Sequence, residues 1–293
     1  MNDCNSGYSS ICILKDGRLA ASSSFIIIYN KKTFKSEITI KEHSGFVRYI
    51  TQLKNNNFVS LGDDGFINIY NILEDKYLVL QRIKAHTSKI YKLRELDNDR
   101  FMTSSSDSYI KFFFKESNEY KEDYSFQDGE SNKNHIYNIL RTKEGEITYS
   151  QSFYENSRKY YIKFYDIKSR KKLESVSVNY ISNTDNLYMI SKIFLLVGVK
   201  NSILIFDVNQ HRQIKEIKCD NSDYVSCFLK IDENTLLSGN SKGQLKQWII
   251  NEDNLILENT KGNTHDGTIN MIINNSEGHI ITCSSDNNIK VWN

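Results

Sequence analysis

A chain of 293 residues with 39% hydrophobic and 25% charged side chains has the composition of a folded globular protein and the length for a sizeable core. Its longest apolar run, residues 193–199, is a strand's length against the roughly 20 residues of a membrane helix, and a net charge of +2 sets up no field for nucleic acid or an anionic membrane. Five scattered cysteines, odd in number, and a first segment from Met1 to Gly7 without a basic or an apolar stretch point to free thiols in an intracellular, reducing setting.

Along the chain, short β-rich runs end on an aromatic that follows Ile or Leu by three residues: Tyr29, Tyr70, Phe113, Tyr165, Phe206, Trp248 and Trp292. The spacings are 41, 43, 52, 41, 42 and 44, a period that defines seven units. Within most units two apolar runs precede that strand and a fourth follows, as at Ile38, Leu78, Leu173 and Ile214. Turn residues such as Asp16-Gly17, Glu144-Gly145 and Glu277-Gly278 separate the first two runs, and Ser191-Lys192 of the fifth unit is the weakest of them. Four strands per unit at this period predict an all-β, seven-bladed β-propeller of antiparallel blades, a single domain over 1–293. The blades fall near 1–43, 44–86, 87–134, 135–179, 180–221, 222–265 and 266–293, the last incomplete.

The same residues resemble the WD40-repeat family. Its Gly-His is represented by Glu42-His43, Ala85-His86 and Thr264-His265. Its Trp-Asp is represented by Tyr165-Asp166 and Phe206-Asp207, and by Trp292-Asn293 and Tyr70-Asn71 with Asn for Asp. Units 2, 3 and 7 also share a spaced triplet, a His with an Asp 21 residues on and a hydroxyl four before that Asp: His43, Ser60, Asp64; His86, Thr103, Asp107; His265, Thr282, Asp286. Nucleophile, base and acid suit acyl transfer, but a catalytic site is normally built once, and recurrence in three units favours a structural role. The resemblance implies a buried hydrogen-bond chain from Asp through His and hydroxyl to the third-strand Trp, complete only in unit 7 with Trp292. Unit 2 offers Tyr70, and in unit 3 Phe113 ends the chain at Thr103. Unit 6 keeps Ser238 and Trp248 but has Lys242 at the Asp position, where units 1, 4 and 5 have Ser23, Lys159 and Lys200. Blades 1, 4, 5 and 6 are expected to hold by apolar packing.

In such a propeller the loops entering strand one and those joining strands two and three share one rim, the expected partner-binding face. Its candidates are Phe46, Arg48, Lys89, Tyr91, Tyr137, Tyr224 and Asn270, the aromatics and Arg being hot-spot types, with packing between blades the alternative for Tyr91, Tyr137 and Tyr224. The long spacing at unit 4 is assigned to a lead-in segment, 115–134, and a loop, 153–159, that adds Tyr154 and Arg158 to the rim. Basic turns at 31–32 and 168–172 read as solvated hairpin tips. No phosphate-binding glycine loop, His-x-x-x-His pair or Cys-x-x-Cys occurs, so neither cofactor nor metal is expected.

Aligning the units places Cys4 opposite His43 and leaves about three residues for the N-terminal strand that closes such rings, while the chain stops one residue after Trp292. Blade 7 is therefore expected to have three strands with 289–292 at an edge, completed by fusion to further domains or by a partner's strand. The resemblance implies a non-catalytic scaffold or adaptor for protein or peptide partners, with no nucleic acid and no membrane. A narrower version is the substrate-recognition module of a ubiquitin-ligase-type complex that reads a charged or phosphorylated segment. A hydrolase using His265, Asp286 and Thr282 is the reading from another class, and a phosphoinositide binder lacks its family's paired arginines.

Overall fold

The computed structural model describes residues 6–97, 99–130, 133–182, 184–219, 223–262 and 264–292. It divides into two compact units, one reaching Ile136 and including Ile273–Cys283 and the residues from Asn287 on, the other of Tyr137–Ile272 and Ser284–Asp286.

The first unit opens with three four-stranded sheets, each a meander in chain order: β1 (Ser10–Ile13), β2 (Leu19–Ser22), β3 (Ile26–Tyr29) and β4 (Ser36–Ile40); β5 (Val47–Gln52), β6 (Phe58–Gly62), β7 (Phe66–Ile72) and β8 (Tyr77–Lys84); β9 (Ile90–Asp97), β10 (Arg100–Ser105), β11 (Tyr109–Glu116) and β12 (Glu119–Gln127). The second unit repeats the plan with β13 (Asn134–Lys143), β14 (Glu146–Tyr154), β15 (Arg158–Asp166) and β16 (Lys171–Val178); β17 (Leu187–Met189), β18 (Phe194–Val199), β19 (Ser202–Asp207) and β20 (Arg212–Lys218); β21 (Val225–Lys230), β22 (Thr235–Asn240), β23 (Leu245–Asn251) and β24 (Asn254–Lys261). The seventh sheet has three strands, β25 (Ile269–Asn274), β26 (Ile280–Ser284) and β27 (Ile289–Trp292), in that order. The fold is thus all-β, built of seven antiparallel propeller blades of which the last is three-stranded.

The burial of each strand explains its sequence. Middle strands such as β2, β3 and β6 are buried on both faces and read as unbroken runs of apolar and small residues, whereas outer strands such as β4 and β8 expose most positions. In the first unit Leu14, Ile28, Val47, Phe58 and Tyr70 share one core cluster, and in the second Leu196, Ile205, Phe228, Leu236 and Trp248 share another. The periodic aromatic carries a further device. In blades 1 to 6 the ladder between the third and fourth strands shifts register at that residue, between Ile28 and Tyr29, Ile69 and Tyr70, Phe112 and Phe113, Lys163 and Tyr165, Ile205 and Phe206, and Gln247 and Trp248. A bulge re-aims a side chain and sharpens the local twist. All six aromatics are buried.

The turns between first and second strands use several chemistries. Gly17 takes a φ of +88° that a side chain would resist. The weak fifth turn is held by a hydroxyl instead: Ser191 Oγ accepts the N–H groups of Ile193 and Phe194 at 3.2 and 3.0 Å. At the other end of the blades, the residue just after the Asp or Lys position takes the left-handed region in five units, at Gly65, Ser108, Asn201, Gly243 and Asn287. Its carbonyl accepts the N–H of the chain leaving the fourth strand, as Gly65 does from Ala85 and His86 and Gly243 from His265.

Two expectations for unit 4 are corrected. Residues 115–134 are not a lead-in segment, because 119–127 form β12, paired along β11 as the outer strand of blade 3. Residues 153–159 are not a loop either, because Phe153 pairs with Lys159 and Tyr154 with Arg158, leaving 155–157 as the tip of a long hairpin. The extra spacing comes from longer strands. The closing N-terminal strand would fall on residues 1–5, and Cys4 and Asn293 lie outside the described residues. Where the description starts, Gly7 N–H donates to Asn287 Oδ1 in the β26–β27 turn.

Phe58 is fully buried in the first-unit cluster, so Phe58→Ala is expected to lower unfolding free energy by about 3–5 kcal/mol in urea denaturation. A loss below about 1 kcal/mol would show that the site collapses without leaving a cavity.

Candidate functional site

The triplet of blade 2 forms a continuous relay. His43 Nδ1 lies 2.9 Å from Asp64 Oδ1, His43 Nε2 lies 2.7 Å from Ser60 Oγ, and Ser60 Oγ lies 3.1 Å from the Tyr70 hydroxyl. An ionised carboxylate only accepts, so Nδ1 carries the proton, Nε2 accepts from Ser60, and Ser60 accepts from Tyr70. Asp64 also accepts the N–H groups of Ser44 and Phe66, at 3.0 and 3.1 Å, which ties the loop entering β5 to the β6–β7 turn. Blade 3 repeats this, His86 Nδ1 reaching Asp107 at 2.9 Å and Nε2 reaching Thr103 at 2.9 Å, with Asp107 holding the N–H groups of Thr87 and Tyr109. Phe113 has no donor to continue the chain, and it stacks on Phe101 at 5.0 Å.

In blade 7, His265 Nδ1 meets Asp286 at 2.8 Å and the Trp292 indole N–H donates to Thr282 Oγ1 at 3.0 Å. Blade 6 keeps the Trp248 to Ser238 bond at 2.8 Å. The blades expected to rely on apolar packing contain further polar clasps that the spacing does not announce. Tyr8 and Tyr29 pair through their hydroxyls at 2.8 Å in blade 1, and buried Asp223 of blade 6 is held by Asn240 and Ser241. Glu146 of blade 4 takes His211 of blade 5 at 2.9 Å and Lys143 at 3.1 Å.

Burial sets the electrostatics of the relays. It pushes the His43 and His86 imidazoles below the ordinary 6.5, against the pull of Asp64 and Asp107. It acts to raise those carboxyls too, but the histidine and backbone donors outweigh it and hold both below the ordinary 3.8. The Tyr70 hydroxyl, buried at the far end of its relay, is pushed up to about 12.

The rim candidates separate by unit. In the first, Arg48 is chelated by Asp63 at 2.6 and 2.8 Å and lies over the Phe46 ring at 4.9 Å, so its charge is already met. Exposed Lys89 stands 3.9 Å from the same carboxylate, while Tyr91 is buried beside His135. In the second unit Tyr137 is buried with its hydroxyl 3.0 Å from Ser152. Burial leaves Tyr91 and Tyr137 little surface to offer a partner, so the packing alternative holds for both. Half-buried Tyr224 reaches Thr268 Oγ1 at 3.3 Å, and Asn270 is half-buried on β25. Tyr154 and Arg158 are exposed, facing each other across the hairpin tip.

Tyr160 and Tyr180, absent from the sequence candidates, join these into one surface. Ring centroids run Tyr160 to Tyr180 at 5.1 Å and Tyr180 to Tyr224 at 5.6 Å, and burial raises the Tyr160 hydroxyl against the pull of the Arg158 charge. Burial and then the neighbouring tyrosines raise the Tyr180 hydroxyl above its usual range. The available signal was the density of Tyr between 154 and 188, together with the strand alternation that puts 158 and 160 on one face.

A fold of seven such blades, with Asp–His–hydroxyl relays inside three of them, belongs to the class of repeat propellers. The family model described as WD domain, G-beta repeat matches residues 78–113 and 259–293, the stretches that carry His86 with Asp107 and His265 with Asp286. The chain contains WD40 repeats, and these matches with the seven blades support its place in the WD40-repeat β-propeller family. Proteins of that family generally serve as protein-interaction scaffolds and are typically non-catalytic. No curated protein matches the chain.

Two measurements check the relays. Ser60→Ala leaves His43 Nε2 and the Tyr70 hydroxyl without partners and is expected to lower stability by about 1–3 kcal/mol; an unchanged urea midpoint would remove Ser60 from the relay. On acidification the unfolded chain protonates its histidines first, so stability present at neutral pH is lost as pH falls from 6.5 toward the lower folded values, and again below 3.8 as Asp64 and Asp107 take protons. His86→Gln should flatten the melting-temperature profile between pH 7.5 and 5, and a profile parallel to that of the unaltered chain would show that His86 does not contribute.

Proposed function

We propose that this chain is a non-catalytic scaffold that binds protein or peptide partners through the hairpin tip of blade 4 and the tyrosine surface beside it. One observation carries the reading: Tyr154 and Arg158 project, exposed, on a strand pair longer than its neighbours, and half-buried Tyr180 and Tyr224 pack in a row with the buried Tyr160 of the same strand pair. Large rigid aromatics with an adjacent Arg are the groups that concentrate binding energy in interfaces.

The hydrolase reading is not favoured, because its hydroxyl, Thr282, and the other two of its kind, Ser60 and Thr103, are wholly buried and out of reach of a substrate. The ubiquitin-ligase version wanted several free arginines on the rim, and Arg48 is already engaged by Asp63.

Affinity capture of the tagged chain from its own cells, beside a variant carrying Tyr154→Ala, Arg158→Ala and Tyr180→Ala, tests the proposal. The expected result is loss of a specific subset of partners by a variant whose melting temperature is kept within about 2 °C, since surface changes of this kind shift stability little. The same partners at the same abundance in both samples would overturn it.

A further inference from the structure

A cavity of about 400 Å³ opens in the first unit, between the turns of blade 1 and the β7–β8 turn of blade 2. Clefts that hold ligands usually measure about 300–1,000 Å³. Buried Arg18 frames it. Its Nε donates to Asp16 Oδ2 at 2.9 Å, Nη1 to the Glu74 carbonyl at 3.0 Å and Nη2 to the Leu73 carbonyl at 2.7 Å, so one side chain ties the β1–β2 turn to the β7–β8 turn. Burial acts to raise the Asp16 carboxyl, but Arg18 and then Lys31 outweigh it and hold it below the ordinary 3.8. Lys31 is placed by the same turn. Its ammonium lies 3.1 Å from the Asp16 carbonyl oxygen, and its stem crosses Gly17, where a Cβ would stand 3.2 Å from Lys31 Cδ.

Two further carboxylates line the cavity with oxygens that no donor meets. Glu37 Oε1 accepts from Asn30 at 2.7 Å, but Oε2 stands 3.8 Å from Arg18 Nη1, beyond hydrogen-bond reach. The Glu74 carboxylate has no hydrogen bond or ion pair among the described residues, since Arg18 uses only its backbone carbonyl. Both residues are exposed, so the cavity is open to a partner. Ile72 gives it an apolar wall. The cross-strand partner of Ile72, Tyr77, shares a face of β8 with Val79, which is 45% exposed. An anion entering here would meet Glu37 and Glu74 while Arg18 is already spent on Asp16 and two carbonyls, so charge selects a cation.

We infer that this cavity takes an arginine side chain of a partner protein, its guanidinium between Glu37 and Glu74, its stem along Ile72 and a neighbouring apolar residue on Val79. The planar fork of a guanidinium matches carboxylates with free oxygens, and its stem suits an apolar wall. The apolar area at Val79 continues past the cavity, which favours a polypeptide over a small free cation. This contact is additional to the blade 4 surface.

Methyl NMR of the full chain, labelled at isoleucine, tests the inference. A peptide with one arginine beside one leucine in a frame of glycine and serine should shift the Ile72 methyl signal saturably and leave that of Ile203, buried in the second unit, in place. A twin with citrulline for arginine keeps the shape without the charge and should bind at least about tenfold more weakly, as should the arginine peptide to a chain carrying Glu37→Gln and Glu74→Gln. The same neutralisation on another hairpin, Glu116→Gln and Glu119→Gln, should leave affinity within about twofold, as expected for charges distant from the contact. No saturable shift at Ile72, equal binding of the citrulline twin, or equal loss in both variants would overturn the inference. Free arginine amide binding as tightly as the peptide would overturn its assignment to a partner protein. None of these variants touches blade 4, so this inference and the tyrosine-surface reading fail separately.

Discussion

The turn between the second and third strands governs what each blade presents at its end. Its last residue lies in the left-handed region at Gly65, Ser108, Asn201, Gly243 and Asn287, and in the first four of these its carbonyl grips the chain leaving the fourth strand. The backbone is so crowded at Gly65 that a Cβ would stand 2.3 Å from the carbonyl oxygen of His86. That grip sets where the next loop begins, and so whether a histidine can reach back to the turn. Gly62 makes the same point from inside: a Cβ there would lie 2.3 Å from His43 Nδ1 and 2.6 Å from Asp64 Oδ1. The relay of blade 2 fits because these two positions have no side chain, whereas blade 3 builds the same relay with Ser105 and Ser108 there. Backbone geometry comes first, and the hydrogen-bond chain is built into the space it leaves.

With that geometry constant, side-chain identity decides the use of the turn. An aspartate with a histidine in reach closes inward, satisfies two backbone N–H groups and seals a buried polar chain. A lysine on the equivalent residue of blades 5 and 6 is exposed instead. Blade 3 shows that the relay need not be complete to hold a blade, because Phe113 stacks between Phe101 and the rest of the core where Tyr70 of blade 2 donates a hydrogen bond. Apolar stacking and a hydroxyl chain are interchangeable at the inner end of the relay. They are not interchangeable at the outer end, where N–H groups must be met.

The period, the seven aromatics and the three triplets were legible because each is a residue type at a fixed interval. The three-strand last blade followed from counting. What spacing could not reveal was geometry between strands. The bulges at Tyr29, Tyr70 and their counterparts leave no mark on composition, and the blade 4 hairpin looked like a loop because a strand pair projecting into water is as polar as a loop. Arg48 looked available until the register of β5 and β6 set it beside Asp63. Tyr160 and Tyr180 were overlooked because attention fell on the starts of first strands, whereas one lies in the third strand of blade 4 and the other between β16 and β17. Tyr91 and Tyr137 have the right positions and the wrong exposure.

The contrast between the two arginines explains why the blade of Arg158, rather than that of Arg48, carries the binding surface proposed around the tyrosines. Arg48 spends its guanidinium on a bidentate pair with Asp63 and on the face of Phe46, so a partner would have to displace bonds of 2.6 and 2.8 Å to use it. Arg158 is exposed at the hairpin tip, paired in register with Tyr154 rather than chelated by a carboxylate. The tyrosine rings pack against one another at 5.1 and 5.6 Å, so little side-chain entropy is lost when a partner settles there. A preorganised aromatic floor beside an arginine with no carboxylate on it is a surface whose interactions are still to be made.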